Sequence, residues 1–258
     1  MVSELNTITW QRGLLKIRDC WYDTIEPKLD ADVVYVMQRS KPEGDESYEQ
    51  FTILIDLEQS EEQITANISK NCMEKVRRIS RKAEYKYQLL RDPNEQLLQK
   101  FILQYNAFAS SKKIAPVEET RLWELNKEGL IMVSVVYYNE LEEVCWHVYR
   151  VNKERVFLIY TFTTSYNSSD SASKNNLGMV NRNCHYNDLI EFKKSGIKYY
   201  DFGGWYNGAE DKEKLNINKF KEEFGGAVTE NYNCIYYPTF KGKVFKAMKK
   251  MKQNAKRN

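Results

Sequence analysis

Three stretches of the chain carry residues whose types and spacing could do chemistry. Lys198-Tyr-Tyr-Asp-Phe-Gly-Gly204 reads as a strand closing on two glycines. That pattern puts Asp201 at a sheet edge beside permissive backbone, where a carboxylate suits substrate positioning or general-base work better than core packing. Gly178-Met-Val-Asn-Arg-Asn-Cys-His185 follows a Ser/Asn-rich run and opens a helix. The N–H groups of Gly178, Met179 and Val180 would then sit at the positive end of a helix dipole, a site for phosphate with Asn176 and Arg182 beside it. An ordinary loop glycine accounts for Gly178 equally simply. His185 is a second base, or else a satisfied histidine on a half-buried helix face. Asn218-Lys-Phe-Lys-Glu-Glu-Phe-Gly-Gly226 sets Phe220 and Phe224 on one helix face, with Lys219 and Lys221 flanking them and two glycines as the stop. Arg78, Arg81 and Arg182 offer planar forks for phosphate, although a solvated helix face is the simpler account of each.

The elements that must position these residues follow from the hydrophobic period. Val33 to Met37 and Phe51 to Leu57 read as strands, and Ser60-Glu61-Glu62 opens a polar helix. A basic helix is expected from Met73 to Tyr87. A further helix follows Pro93, and a short one spans Thr120 to Asn126. Leu130 to Tyr138, Glu143 to Arg150 and Arg155 to Thr163 alternate as an antiparallel meander. Thr164 to Asn176 is expected to be a loop. After it come a helix from Gly178 to Ser195, a strand from Ile197 to Phe202, a helix from Ile217 to Phe224 and a strand from Ala227 to Tyr237.

Charge and cysteine usage narrow the function class. The chain has 258 residues with 39 Lys+Arg and 36 Asp+Glu, formally +3. Thr239 to Asn258 alone holds seven Lys, one Arg and no acid, which is +8; the other 31 basic residues face all 36 acids, leaving the body at −5. An acidic body argues against general nucleic-acid binding. Five dispersed cysteines without a CxxC, and two histidines, assemble no metal site by spacing, so reduced buried thiols and no metal are expected. No apolar run is long enough to span a bilayer, and Glu4, Arg12 and Lys16 interrupt any leader-like segment.

The run Tyr199-Tyr-Asp-Phe-Gly-Gly204, then Ile217-Asn-Lys-Phe-Lys-Glu-Glu-Phe-Gly-Gly226, resembles the C-terminal half of the Fem-type acyltransferases and their GNAT-superfamily relatives. Gly196, Tyr200, Asp201, Phe202, Gly203 and Gly204 match the first motif, and Phe220, Lys221, Phe224, Gly225 and Gly226 match the second. Upstream, Ile55-Asp56-Leu57, Arg78-Ile79, Arg81-Lys82 and Ala83 match a third segment, so the similarity runs from about Phe51 to Tyr237. The resemblance implies an α/β (α+β) fold with a GNAT-like mixed sheet flanked by helices, built as two GNAT-like lobes. The expected division is 1–110, 111–240 and a basic amphipathic tail, 241–258. Of the GNAT phosphate-loop motif only Gly178 is retained.

The resemblance further implies an acyltransferase that moves an acyl group to an amine. Acetyl-CoA or another acyl-CoA is the preferred donor and an acyl group other than amino-acyl the preferred cargo. Fem-type transfer from aminoacyl-tRNA is the alternative, and an inactive GNAT-like binding module is a third reading. Asp201, His185 and Lys221 are the expected catalytic residues, with Lys221 at the donor or at developing charge. Asn176, Gly178, Met179, Val180 and Arg182 would hold the donor, and Arg78, Arg81, Tyr200 and Trp205 the acceptor. The implied acceptor is an amino sugar, nucleotide-linked or lipid-linked, as in polysaccharide biosynthesis, or a cell-envelope peptide amine. The expected place is the cytoplasm, at the inner membrane surface if the amphipathic tail contacts it; docking on its own domain is the other account of that tail.

Overall fold

One continuous sheet carries the whole chain, in a computed structural model that describes residues 6–22, 27–164 and 171–255. Among the described residues its ten strands are β1 (Thr7–Arg12), β2 (Leu15–Trp21), β3 (Val33–Arg39), β4 (Glu46–Asp56), β5 (Tyr85–Leu90), β6 (Ile131–Tyr138), β7 (Glu142–Val151), β8 (Arg155–Thr163), β9 (Tyr199–Trp205) and β10 (Ala227–Tyr236). Their spatial order is β1-β2-β3-β10-β4-β9-β8-β7-β6-β5. The last strand therefore lies between β3 and β4, antiparallel to both, and ties the two ends of the chain together. The architecture is α+β, a mixed sheet flanked by helices.

Alternation along the central strands builds two cores. On β7, Trp146 and Val148 face the helices α3 (Glu95–Lys112) and α4 (Glu119–Lys127), where they pack with Phe101, Ile102, Leu122 and Phe162. Tyr149 and Val151, one residue out of phase, face the other layer with Ile64, Val76, Leu189, Phe192 and Phe224. That layer is α1 (Glu61–Asn67), α2 (Lys70–Ser80), α5 (Ser171–Lys194) and α6 (Lys212–Glu222), and α7 (Phe240–Ala255) ends the described chain. The helices start where the sequence supplies caps. Ser60 and Gln63 form a reciprocal capping box on α1, and Asn94 accepts from the Leu97 N–H at α3.

Four expectations change. β1 and β2 are strands that the period did not reveal. The basic helix ends at Ser80, and Tyr85–Leu90 is an edge strand with alternating burial rather than helix. α5 begins at Ser171, seven residues before Gly178, so Ser171 to Asn176 is helix and not loop; residues 165–170 of the expected loop lie outside the described residues. Finally, β9 is central, between β4 and β8, so Asp201 does not stand at a sheet edge.

One irregularity positions the site. β8 and β9 run parallel but pair only over Arg155–Phe157 with Tyr199–Asp201. Beyond that point β8 continues against β7, while β9 continues against β4 as far as Trp205. Gly203 sits where they part, at φ +72°, and a Cβ there would stand 3.1 Å from the Leu158 carbonyl oxygen. Only glycine combines that dihedral with that approach.

Candidate functional site

Asp201 is fully buried and spends its oxygens on the chain itself. Gln38 Nε2 donates to Oδ2 at 2.6 Å, the Thr52 hydroxyl and the Gly203 N–H (2.8 Å) donate to Oδ1, and Arg155 Nη1 lies 3.6 Å away. Burial pushes its pKa up, against the pull of Thr52, Arg155, Gln38 and Gly203. A carboxylate so occupied is a positioning group. It pins the β9 irregularity to β3 and β4 and sets the course of the following glycines.

Lys221 lies against the same end of β9. It projects from α6 and donates one ammonium hydrogen to the Gly204 carbonyl, which leaves two others. Burial lowers its pKa to about 8, with the Asp201 charge acting in the opposite sense. The Asn218 side chain locks α6 to the end of β9 by accepting from the Tyr206 N–H at 2.9 Å and donating to the Tyr206 carbonyl at 2.8 Å. Trp205 stands alongside, against the Phe51 ring, its Nε1 donating to Glu222 at 3.0 Å. Asp201, Gly204, Trp205 and Lys221 are thus brought together along β9 and α6.

His185 and Tyr200 belong elsewhere, in a polar network buried between the sheet and α5. Tyr149 Oη donates to Asp188 Oδ2 at 2.6 Å. The 2.8 Å contact between Tyr149 and Tyr200 therefore takes the Tyr200 hydrogen, and the 2.7 Å contact from Tyr200 to His185 Nδ1 takes a hydrogen on Nδ1. The chain of donors runs from His185 through two tyrosines to Asp188. Burial drives the His185 pKa far below its ordinary value, with the charge of His147 adding to the effect. His185 packs among Phe202, Phe220 and Phe224. Tyr200 is buried and is not a surface for the acceptor.

His147 is the other end of this network, and no motif or spacing points to it. Its Nδ1 meets Asp188 Oδ2 at 2.6 Å and its Nε2 meets Asn181 Oδ1 at 2.7 Å and Cys145 Sγ at 3.6 Å. Burial opposes its charged form, yet the Cys145 sulfur and the Asp188 carboxylate push its pKa up to about 10. Cys145, His147 and Cys184 bring ligand atoms within 4.8 Å of one another, as do His147, His185 and Asp188. This is a convergence that sequence spacing could not show. Both His147 nitrogens are already engaged and the Cys184 thiol turns to Asp188 at 3.8 Å, so the cluster closes on itself. A metal would have to displace Asn181 from Nε2.

The expected donor residues do not form a phosphate loop. Gly178, Met179 and Val180 lie in the second and third turns of α5, where backbone N–H groups are used by the helix itself, and Met179 and Val180 are buried. Asn176 is half-buried on the same helix. Arg182 donates to Glu223 Oε2 at 2.6 Å and to the Gly178 carbonyl at 3.0 Å and lies over the Phe220 ring, so it fastens α5 to α6. Arg78 and Arg81 are exposed at the far end of α2. The Ser69 end of that helix meets α6 through the Glu223 carbonyl, about 13 Å of helix away from Arg78.

A cavity of about 270 Å³ opens on the Asp201 face of the sheet, lined among others by Trp10, Asp19, Tyr35, Met37, Arg121 and Asn233. Asp19, buried on β2, accepts from Arg121 Nε at 2.6 Å; burial pushes its pKa up while Arg121 pulls it down. The buried Trp10 Nε1 has no hydrogen-bond partner among the described residues. The cavity wall reaches Asp201 in two steps, because Asn233 Oδ1 accepts from the Gln38 N–H at 3.0 Å and Gln38 holds Asp201. Nothing in the sequence marked this group, since Asp19 and Arg121 are 102 positions apart.

Neither a protein-family model nor a curated protein sequence matches the chain. Solved structures do. The structure of FemX aligns at 11% identity and TM-score 0.56 over 71% of this chain, which spans 61% of the length of FemX. L-PGS from Bacillus licheniformis aligns at 12% identity and TM-score 0.54, over 92% of this chain and 83% of that one. The C-terminal domain of a putative lysylphosphatidylglycerol synthetase from Agrobacterium fabrum aligns at 12% identity and TM-score 0.51, over 90% and 82%. With its ten-stranded mixed sheet and flanking helices, the chain shares the fold of FemX and of these two L-PGS structures.

Proposed function

We propose that the chain is an acyltransferase that moves an activated acyl group onto an amine, with Lys221 at the reacting centre. The observation that carries this reading is the lysine itself: a cation with a depressed pKa, fixed to the Gly204 carbonyl where β8 and β9 part, with hydrogens to spare. In the reaction the amine nitrogen attacks the acyl carbon and the bond from that carbon to the carrier oxygen or sulfur breaks. The amine gives up a proton and the leaving group gains one. The Lys221 ammonium would stabilise the oxyanion that forms between these events.

The course of α5 bears on the choice of donor. A CoA pyrophosphate on the N–H groups of Gly178 to Val180 would need them free, and those positions lie within a helix. An ester-linked aminoacyl group, as on aminoacyl-tRNA, is the donor we favour, supported by the likeness to a domain named as that of a putative lysylphosphatidylglycerol synthetase. The amine of a cell-envelope amino sugar is the acceptor, and a charged tRNA as donor sets the reaction in the cytoplasm. The test offers the purified protein labelled aminoacyl-tRNA or acetyl-CoA, each with an amino-sugar acceptor, and follows label transfer and free-thiol release. Consumption of the tRNA ester, reduced about 100-fold or more in Lys221→Ala, is the expected result. Consumption of acetyl-CoA alone would restore the thioester donor. If neither donor is consumed, the fold serves as a binding module.

A further inference from the structure

The last helix presents its apolar side outward. At about 100° per residue, Phe240, Val244, Met248 and Met251 fall within a narrow arc of α7. They are 82%, 42%, 49% and 63% exposed. Lys241 and Lys252 border the arc on one side and Lys243 and Lys250 on the other, all exposed. The opposite side holds the helix to the body. There Phe245 packs against the core, Lys246 donates to the Asp45 carbonyl at 3.2 Å, and Lys249 pairs with Glu46 at 3.2 Å. A helix that served only its own domain would turn the stripe inward and the lysines out; here the stripe faces solvent between two rows of cations.

We propose that α7 is a docking surface for an anionic lipid bilayer. Charge complementarity selects that occupant: Thr239 to Asn258 carries +8 and no acid, while the rest of the chain is −5, so a negative surface attracts this helix and repels the body. The four apolar side chains would enter the boundary between headgroups and acyl chains, and the bordering lysines would lay their stems along it with the ammonium groups among lipid phosphates. No described helix is long and apolar enough to cross a membrane, which fits attachment at the surface. The proposal is independent of the acyltransferase reading.

The test is co-sedimentation of the full chain with vesicles of phosphatidylcholine alone or mixed with phosphatidylglycerol, at low and high salt. Binding to the mixed vesicles that weakens as salt is raised is expected. Phe240→Ser with Met248→Ser should weaken it about tenfold or more, and Lys241→Glu with Lys250→Glu should remove the preference for the anionic lipid. All four positions are exposed, and an unchanged circular-dichroism melt establishes that the fold is intact. Wild-type protein left in the supernatant with anionic vesicles at low salt overturns the proposal, as does sedimentation unaffected by the serine pair. A dimer in solution that the serine pair dissociates, without vesicle binding by the wild type, assigns the stripe to a second copy instead.

Discussion

His147 Nδ1 and Asp188 Oδ2 meet at 2.6 Å with both side chains wholly buried, joining the middle of β7 to the C-terminal half of α5. Asp188 also receives hydrogens from Tyr87, Tyr149 and Ser134, so one carboxylate gathers β5, β6, β7 and α5. The pair is therefore a fixed point of the layer from which α5, and through Arg182 also α6, is hung.

Removing one partner of such a pair leaves a buried charge without compensation, which typically costs about 3–5 kcal/mol. Asp188→Asn and His147→Gln should each lower unfolding stability in urea by that order, and the double variant should lose less than the sum. Losses below about 1 kcal/mol for both singles would show that the pair adds little to the fold.

Arg121→Ala makes a related case at the cavity. It strands Asp19, which is 1% exposed, beside Trp10 and removes the Nε–H that Asp19 accepts at 2.6 Å. Burial already raises the Asp19 pKa, and without Arg121 the group should fold as the neutral acid. The sign follows from that rise. A folded pKa lifted above the unfolded value makes the variant gain stability relative to wild type as pH falls through the acidic range. Urea midpoints from pH 7 downward check this; a constant gap between variant and wild type would contradict it.

What could be read in advance was local. The meander β6–β8 and the end of α6 before Gly225-Gly226 follow from period and punctuation, as does the capped start of α1, because adjacent residues decide them; β9, by contrast, runs through Gly203 and Gly204 to Trp205. What could not be read depends on partners far along the chain. Asp201 looks like an open carboxylate until Gln38 and Thr52, 163 and 149 residues away, are seen to occupy it. Gly178 looks like a loop glycine because the Ser and Asn residues before it favour caps and turns, yet α5 begins at Ser171. His147 reads as one residue of a strand, and only the opposing helix shows what its ring meets.

Gly203 and Gly196 separate two reasons for a glycine. Both have positive φ, +72° and +76°, but a Cβ at Gly196 meets nothing within 4 Å, whereas at Gly203 it meets the Leu158 carbonyl oxygen at 3.1 Å. Gly196→Ala should cost only the left-handed backbone, about 1–2 kcal/mol. Gly203→Ala should cost more than that. It should also slow acyl transfer, because Asp201 accepts from the Gly203 N–H and the next carbonyl holds Lys221. Equal stability losses, measured by thermal or urea unfolding, would mean that β8 and β9 separate without strain.

Lys221 supplies the pH test of the reaction. Its pKa of about 8 means that the ammonium predominates below that pH and the neutral amine above it. If the cation stabilises the oxyanion, kcat/KM with an acceptor amine already neutral in this range should fall as pH rises through about 8, tenfold per unit beyond it. Lys221→Arg keeps a charge at every accessible pH and should lose that falling limb while retaining part of the rate. Lys221→Ala should be slow and flat. A rate that instead rises through about 8 in the wild type and disappears in Lys221→Arg would make the neutral amine the working form, with Lys221 taking the proton from the acceptor.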